Sequence, residues 1–76
     1  MRIAGIRLDG DTQSRVNLNQ ELVTEYAEAM KEGAKFPPVT VFYDGTDNWL
    51  SDGFHRLYAA RNAGFDEIDA DVRLLS

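Results

Sequence analysis

Trp49-Leu50-Ser51-Asp52-Gly53-Phe54-His55-Arg56-Leu57-Tyr58-Ala59-Ala60 is the stretch around which the rest of the chain is organised. It runs from a short apolar strand end, through a tight Asp-Gly turn, into the first turn of a helix. Gly53 opens backbone angles closed to other residues and lets a ligand come close to the main chain. The amides that follow have no acceptor within their own helix and point outward. Together with the positive end of the helix dipole they form a ready anion site. His55 and Arg56 stand in that first turn, where a helix ordinarily takes Asp or Glu. Two potential cations at the positive end cost stability unless an anion joins them, and such a conflict between local rule and sequence marks a functional site. The purely structural alternative is that Arg56 pairs with Asp52 or another carboxylate, while His55 is a satisfied, half-buried residue.

Working outward, the helix that begins at Phe54 is predicted over 54–63. Its small Ala59, Ala60 and Ala63 allow close packing on a sheet or on another helix, and Gly64 closes it. Phe65 and Ile68 are expected to plug the core around an Asp-Glu turn. Residues 70–75 alternate, with Ala70, Val72 and Leu74 opposed to Asp71, Arg73 and Leu75, which predicts a closing strand. Upstream, Asn48-Trp49-Leu50-Ser51 is the return strand of a hairpin whose turn is Asp44-Gly45-Thr46-Asp47. Its partner, Val39-Thr40-Val41-Phe42-Tyr43, is rich in β-branched and aromatic residues. Lys35-Phe36-Pro37-Pro38 before it is an extended connector, because a residue preceding proline is pushed away from helical angles.

The other helix is predicted over 19–32, with Asn17 or Asn19 as N-cap. Leu22, Val23, Tyr26, Ala27 and Met30 recur at core spacing and Gly33 ends the helix. Glu21, Glu25, Glu28 and Glu32 form a solvated face. Asp9-Gly10-Asp11-Thr12-Gln13-Ser14 is turn and loop. Residues 3–8 are predicted as a strand near a sheet edge, with Ala4, Ile6 and Leu8 on one side and Ile3, Gly5 and Arg7 on the other. The order strand-helix-strand-strand-helix-strand defines a small α+β domain with one mixed sheet and two main helices. Leu22, Tyr26, Met30, Val39, Val41, Leu57, Ala60 and Val72 are its expected core.

The chain has 76 residues, enough for one domain spanning 1–76 and near the lower limit for a self-sufficient core. It has no cysteine, which removes disulfides, thiolate metal sites and thiol nucleophiles and fits a reducing cytoplasm. A single histidine rules out a histidine-cluster metal site. Asp44 and Asp47 belong to the hairpin turn, and no metal ligand set is expected. No stretch approaches transmembrane length. The net charge of −5 argues against a broad footprint on DNA or on an anionic membrane.

Phe36-Pro37-Pro38-Val39-Thr40-Val41, the hairpin, and Leu50 through Ala60 to Gly64-Phe65 and a last strand together resemble the N-terminal domain of ParB-like proteins. The resemblance covers residues 16–73. The same superfamily includes sulfiredoxin. In the ParB branch the corresponding turn carries Gly-Glu-Arg-Arg and holds the triphosphate of CTP with magnesium. Gly53 and Arg56 match it, Phe54 and His55 replace the Glu and the first Arg, and Tyr58 replaces a later Arg. In the sulfiredoxin branch the turn is Gly-Cys-His-Arg, matched by Gly53, His55 and Arg56, with Phe54 at the position of the reactive Cys. Phenylalanine cannot attack a phosphate or a sulfinate, so peroxiredoxin reduction is excluded. What the two branches share, phosphate binding at this turn, is what the resemblance implies here.

The resemblance thus implies a nucleotide- or phosphate-binding module, with CTP or ATP and accompanying Mg²⁺ as ligand, serving a DNA partition, plasmid or phage DNA-processing system. Asp52, Gly53, Phe54, His55 and Arg56 are its expected ligand-binding residues. Arg56 supplies a two-pronged phosphate contact from the surface with little share in packing, and His55 is the expected phosphate donor or acid/base group. Two other classes stay open. One is a weak metal-dependent nuclease or nucleotide hydrolase. The other is a regulatory protein-binding module with a vestigial pocket, which exposed Tyr43, Trp49 or Phe54 would favour. DNA is a partner only through a local site or another domain, no membrane partner is expected, and a homodimer is compatible with the sequence.

Overall fold

A computed structural model of the chain describes residues 1–8 and 18–74. A 3₁₀ turn at Ile3–Gly5 leads into strand β1 (Ile6–Arg7), helix α1 (Gln20–Lys31), the hairpin β2 (Val39–Tyr43) and β3 (Asn48–Asp52), helix α2 (Phe54–Asn62) and strand β4 (Ala70–Leu74). The strands form one mixed sheet in the order β1-β3-β2-β4. β2 and β3 are antiparallel, while β1 runs parallel to β3 and β4 parallel to β2. This is the small α+β fold expected from the pattern. The loop expected over 9–14, the alternative cap Asn17 and the expected strand end Leu75 lie outside the described residues.

Each helix ends as the sequence signals. The Gly33 N–H donates to Met30 O and the Ala34 N–H to Ala29 O. The same pair of bonds recurs where Gly64 meets Arg61 O and Phe65 meets Ala60 O, so both helices close in a Schellman motif. At its start α1 is capped by Asn19, whose side chain accepts the Leu22 N–H at 3.2 Å.

The helices lie on one side of the sheet. Leu57 and Ala60 of α2 pack with Ile3, Ile6, Val39, Val41 and Leu50. Ala59, on the other side of the same helix, packs with Val23 and Ala27 of α1. Small alanines on both sides of α2 let it touch the sheet and α1 at once.

Four expectations change. Residues 3–5 are a 3₁₀ turn, not a strand. Three residues per turn place Ile3 and Ile6 on the same side, so both enter the core where alternation would have split them. In α1 the fully buried stripe is Val23 and Ala27, with Leu22, Tyr26 and Met30 half-buried beside it. Val72 is 45% exposed and Leu74 79%, because β4 is an edge strand beyond the cover of the helices. Phe65 is also 45% exposed, whereas Ile68 does pack against the core. Among the described residues no helix is long and apolar enough to cross a membrane.

Candidate functional site

Gly53 is the joint between β3 and α2. It sits at the N-cap of α2 with φ 98°, in the left-handed region. A Cβ at this position would stand 2.6 Å from Val39 Cγ1 and 3.0 Å from Arg56 Nη2. Glycine is therefore required twice, by the backbone angle and by the close approach of β2. No side chain caps α2, in contrast to α1. The Leu57 N–H donates to Gly53 O and begins the helical ladder. The amides of Phe54, His55 and Arg56 precede it and have no acceptor inside the helix.

His55 joins the two helix starts. Its Nε2 accepts the backbone N–H of Asn19 at 3.1 Å. An accepting Nε2 carries no proton, which assigns the ring N–H to Nδ1. Since Asn19 is the N-cap of α1, the positive ends of both helix dipoles converge on this imidazole.

Arg56 turns back toward the connector. Its Nη1 donates to Pro37 O at 2.8 Å and to Pro38 O at 3.0 Å. Its Nη2 lies 3.8 Å from Asp52 Oδ2, the pairing raised above as the structural alternative. The Arg56 side chain is only 20% exposed, against 79% for Asp52. The expectation of a surface arginine with little share in packing is therefore corrected: the guanidinium bridges the connector and the helix start. Its Nε and Nη2 hydrogens are not used in the two carbonyl bonds and stay available to an anion. A cleft of about 430 Å³ opens beside Arg56, between Phe36-Pro37 and the segment Glu67-Ile68-Asp69. Gly53, Phe54 and His55 are not among its walls.

The hairpin acidic residues stay in the turn. Asp44 accepts the Asp47 and Thr46 N–H groups at 2.7 and 2.8 Å through Oδ1, and the Trp49 indole N–H at 2.8 Å through Oδ2. The Asp47 amide, then the indole, then the Thr46 amide lower its pKa from 3.8 to about 2. Asp47 lies 3.5 Å from Arg7, whose guanidinium stands 5.0 Å from the centre of the Trp49 ring. Among the described residues no three His, Asp or Glu side chains gather as a metal site. Tyr43, Trp49 and Phe54 are half-buried.

Asp52 through Arg56, contiguous in sequence, share the β3–α2 turn. Sequence reasoning missed Val39, which confines Gly53, Asn19, which holds His55, and the Pro37 and Pro38 carbonyls, which hold Arg56. The Pro-Pro pair was a usable signal, since its carbonyls stand in a segment with no ladder of its own.

The fold is that of sulfiredoxin and of part of ParB. Sulfiredoxin from Arabidopsis thaliana superposes with a TM-score of 0.83 at 21% identity, over 99% of this chain and 82% of that one. The C-terminally truncated chromosome-partitioning protein ParB from Caulobacter crescentus, complexed with CTP-gamma-S, gives 0.79 at 23% identity, over 99% of this chain and 43% of that one. The same protein complexed to the centromeric parS site gives 0.80 at 22%, over 99% and 40%. At such identities these likenesses show a shared fold. No curated protein sequence matches. The family model described as the ParB N-terminal domain matches residues 2–76, and the chain belongs to that family. It spans less than half the length of the ParB chains it resembles.

Proposed function

We propose that the turn from Asp52 to Arg56 binds the phosphates of a nucleotide, and that the domain is the nucleotide-binding module of a ParB-like partition or phage or plasmid DNA-processing system. The observation that carries this is the uncapped start of α2, where three amides have no acceptor inside the helix, two helix dipoles converge on His55 and Arg56 Nη2 stands beside Gly53. Family membership and the CTP analogue bound to a ParB of the same fold support CTP as the first ligand to test, with ATP the second. The residues fit a phosphate, because the amides of the first helical turn, the Arg56 guanidinium and the His55 ring N–H all favour negative charge. Asp52 is a carboxylate of the turn itself that could reach a Mg²⁺ ion carried in by a triphosphate. His55 would donate to the ligand through Nδ1 while its Nε2 holds Asn19, and the same Nδ1 would serve any proton transfer. A module that answers to nucleotide and DNA works where both are found, which is the cytoplasm.

One observation favours the second reading, a protein-binding module with a vestigial pocket. Arg56 already has two carbonyl partners through Nη1 and so is held in place without a ligand. The readings part in a titration followed by ¹⁵N–¹H correlation spectra. Addition of CTP with Mg²⁺ should move the amide signals of Phe54, His55 and Arg56 first. Signals that move only elsewhere, or not at all with CTP or ATP, would remove the nucleotide reading and leave the vestigial pocket. Nucleotide hydrolysis would appear as product in the same samples, and nuclease activity as cleavage of DNA added to them.

A further inference from the structure

β4 ends the described sheet at an outer edge. Its five residues are Ala70-Asp71-Val72-Arg73-Leu74, and its only sheet partner among the described strands is β2. The Val39 N–H donates to Asp69 O, which sets the alternation of the parallel ladder. The N–H and C=O groups of Asp69, Asp71 and Arg73 turn toward β2, and those of Ala70, Val72 and Leu74 turn to the open edge. Those three also carry the apolar side chains on the helix side of the sheet, where Val72 is 45% and Leu74 79% exposed.

Charged side chains on an edge strand ordinarily block pairing with another strand. Here the two charges are opposite in sign and equidistant from Val72. Within one chain they pair with each other, Arg73 Nη2 to Asp71 Oδ2 at 3.1 Å. A second β4 laid antiparallel about Val72 brings Asp71 of each copy opposite Arg73 of the other. It also brings Val72 opposite Val72, and Ala70 opposite Leu74, on the apolar side. Directly opposed unlike charges and apolar pairs both favour such a ladder. We infer that two copies of this chain join β4 to β4 in this register, forming one continuous eight-stranded sheet with a two-fold axis at Val72. The contact is isologous and closed, so it stops at the dimer.

Sedimentation equilibrium over a concentration series tests it. The wild-type mass should rise from 8.6 kDa toward twice that value with concentration. Asp71→Arg and Arg73→Asp each place like charges opposite one another twice, so each variant alone should stay at the monomer mass. Mixed in equal amounts, the two variants present opposite charges at both positions and should recover the dimer. Circular dichroism checks that each variant is folded, and recovery on mixing is an outcome that misfolding would not produce. A wild type that stays monomeric at millimolar concentration overturns the inference. So does dimerisation undiminished in either variant, or a mixture that stays monomeric.

Discussion

Replacing Gly53 with alanine isolates the joint on which the site depends. Two costs add. Holding an L-residue in the left-handed region costs roughly 1–2 kcal/mol. The new Cβ would also sit 2.6 Å from Val39 Cγ1, and Val39 is fully buried, so it has little room to yield. Overpacking of this kind costs about 1–3 kcal/mol. The sum is about 2–5 kcal/mol, against a total stability of roughly 4–11 kcal/mol for a 76-residue domain at 0.05–0.15 kcal/mol per residue. At about 4–8 °C per kcal/mol the melting temperature should fall by about 10 °C or more. Gly45→Ala is the control. Gly45 has φ 102° but no atom within 4 Å of a Cβ, so it carries the backbone cost alone. Urea unfolding of both variants, followed by far-ultraviolet circular dichroism, gives the difference directly. If Gly53→Ala is no more destabilising than Gly45→Ala, then β2 does not press on the helix start and the steric account of the turn is wrong.

Other expected outcomes follow from the same contacts. Leu57→Ala empties a fully buried position between α2 and the sheet, and should cost about 2–5 kcal/mol in urea unfolding. Asp44 has a folded pKa lowered from 3.8 to about 2, so its contribution to stability is present above pH 3.8. That contribution is lost as pH falls through about 2, and Asp44→Asn should flatten the acid limb of a stability-against-pH curve between those values. His55→Ala removes the acceptor of the Asn19 N–H and should raise amide exchange at Asn19 without disturbing β2. Arg56→Lys should weaken CTP-dependent thermal stabilisation, because a point charge cannot reproduce a planar fork.

Much of the fold was legible because local signals agreed with one another. The β-branched run from Val39 to Tyr43 gave β2 with its exact ends, and the glycines at 33 and 64 marked both helix ends. What was not legible came from tertiary context. Alternation at Val72 and Leu74 signals the strand that forms there, but alternation cannot say whether a helix covers one side of it. At Ile3 a single 3₁₀ turn changed the period from two to three, and no residue there announces the change. The site was legible as a cluster, since Asp52 through Arg56 are contiguous in sequence. Its supports were not, because Asn19, Pro37 and Val39 reach it from 36, 19 and 14 residues away from His55, Arg56 and Gly53.

The two carbonyl bonds of Arg56 decide how its removal should be read. Both acceptors belong to exposed prolines, so water can replace the guanidinium once it is gone. The loss is then the net worth of two charged hydrogen bonds at about 1.5–3 kcal/mol each, roughly 3–6 kcal/mol at most, and not the larger cost of stranding buried carbonyls. The Asp52 contact adds little, being 3.8 Å long to a carboxylate that is 79% exposed. A domain in the upper part of the roughly 4–11 kcal/mol range survives such a loss, so Arg56→Ala should be folded but clearly less stable. The same variant must therefore be judged by the change that nucleotide produces and not by its melting temperature alone. A variant that is destabilised yet gains as much from CTP as wild type would make Arg56 a strut of the connector and nothing more. One that is folded and gains nothing would make the same guanidinium both strut and phosphate ligand, which its unused Nε and Nη2 donors allow.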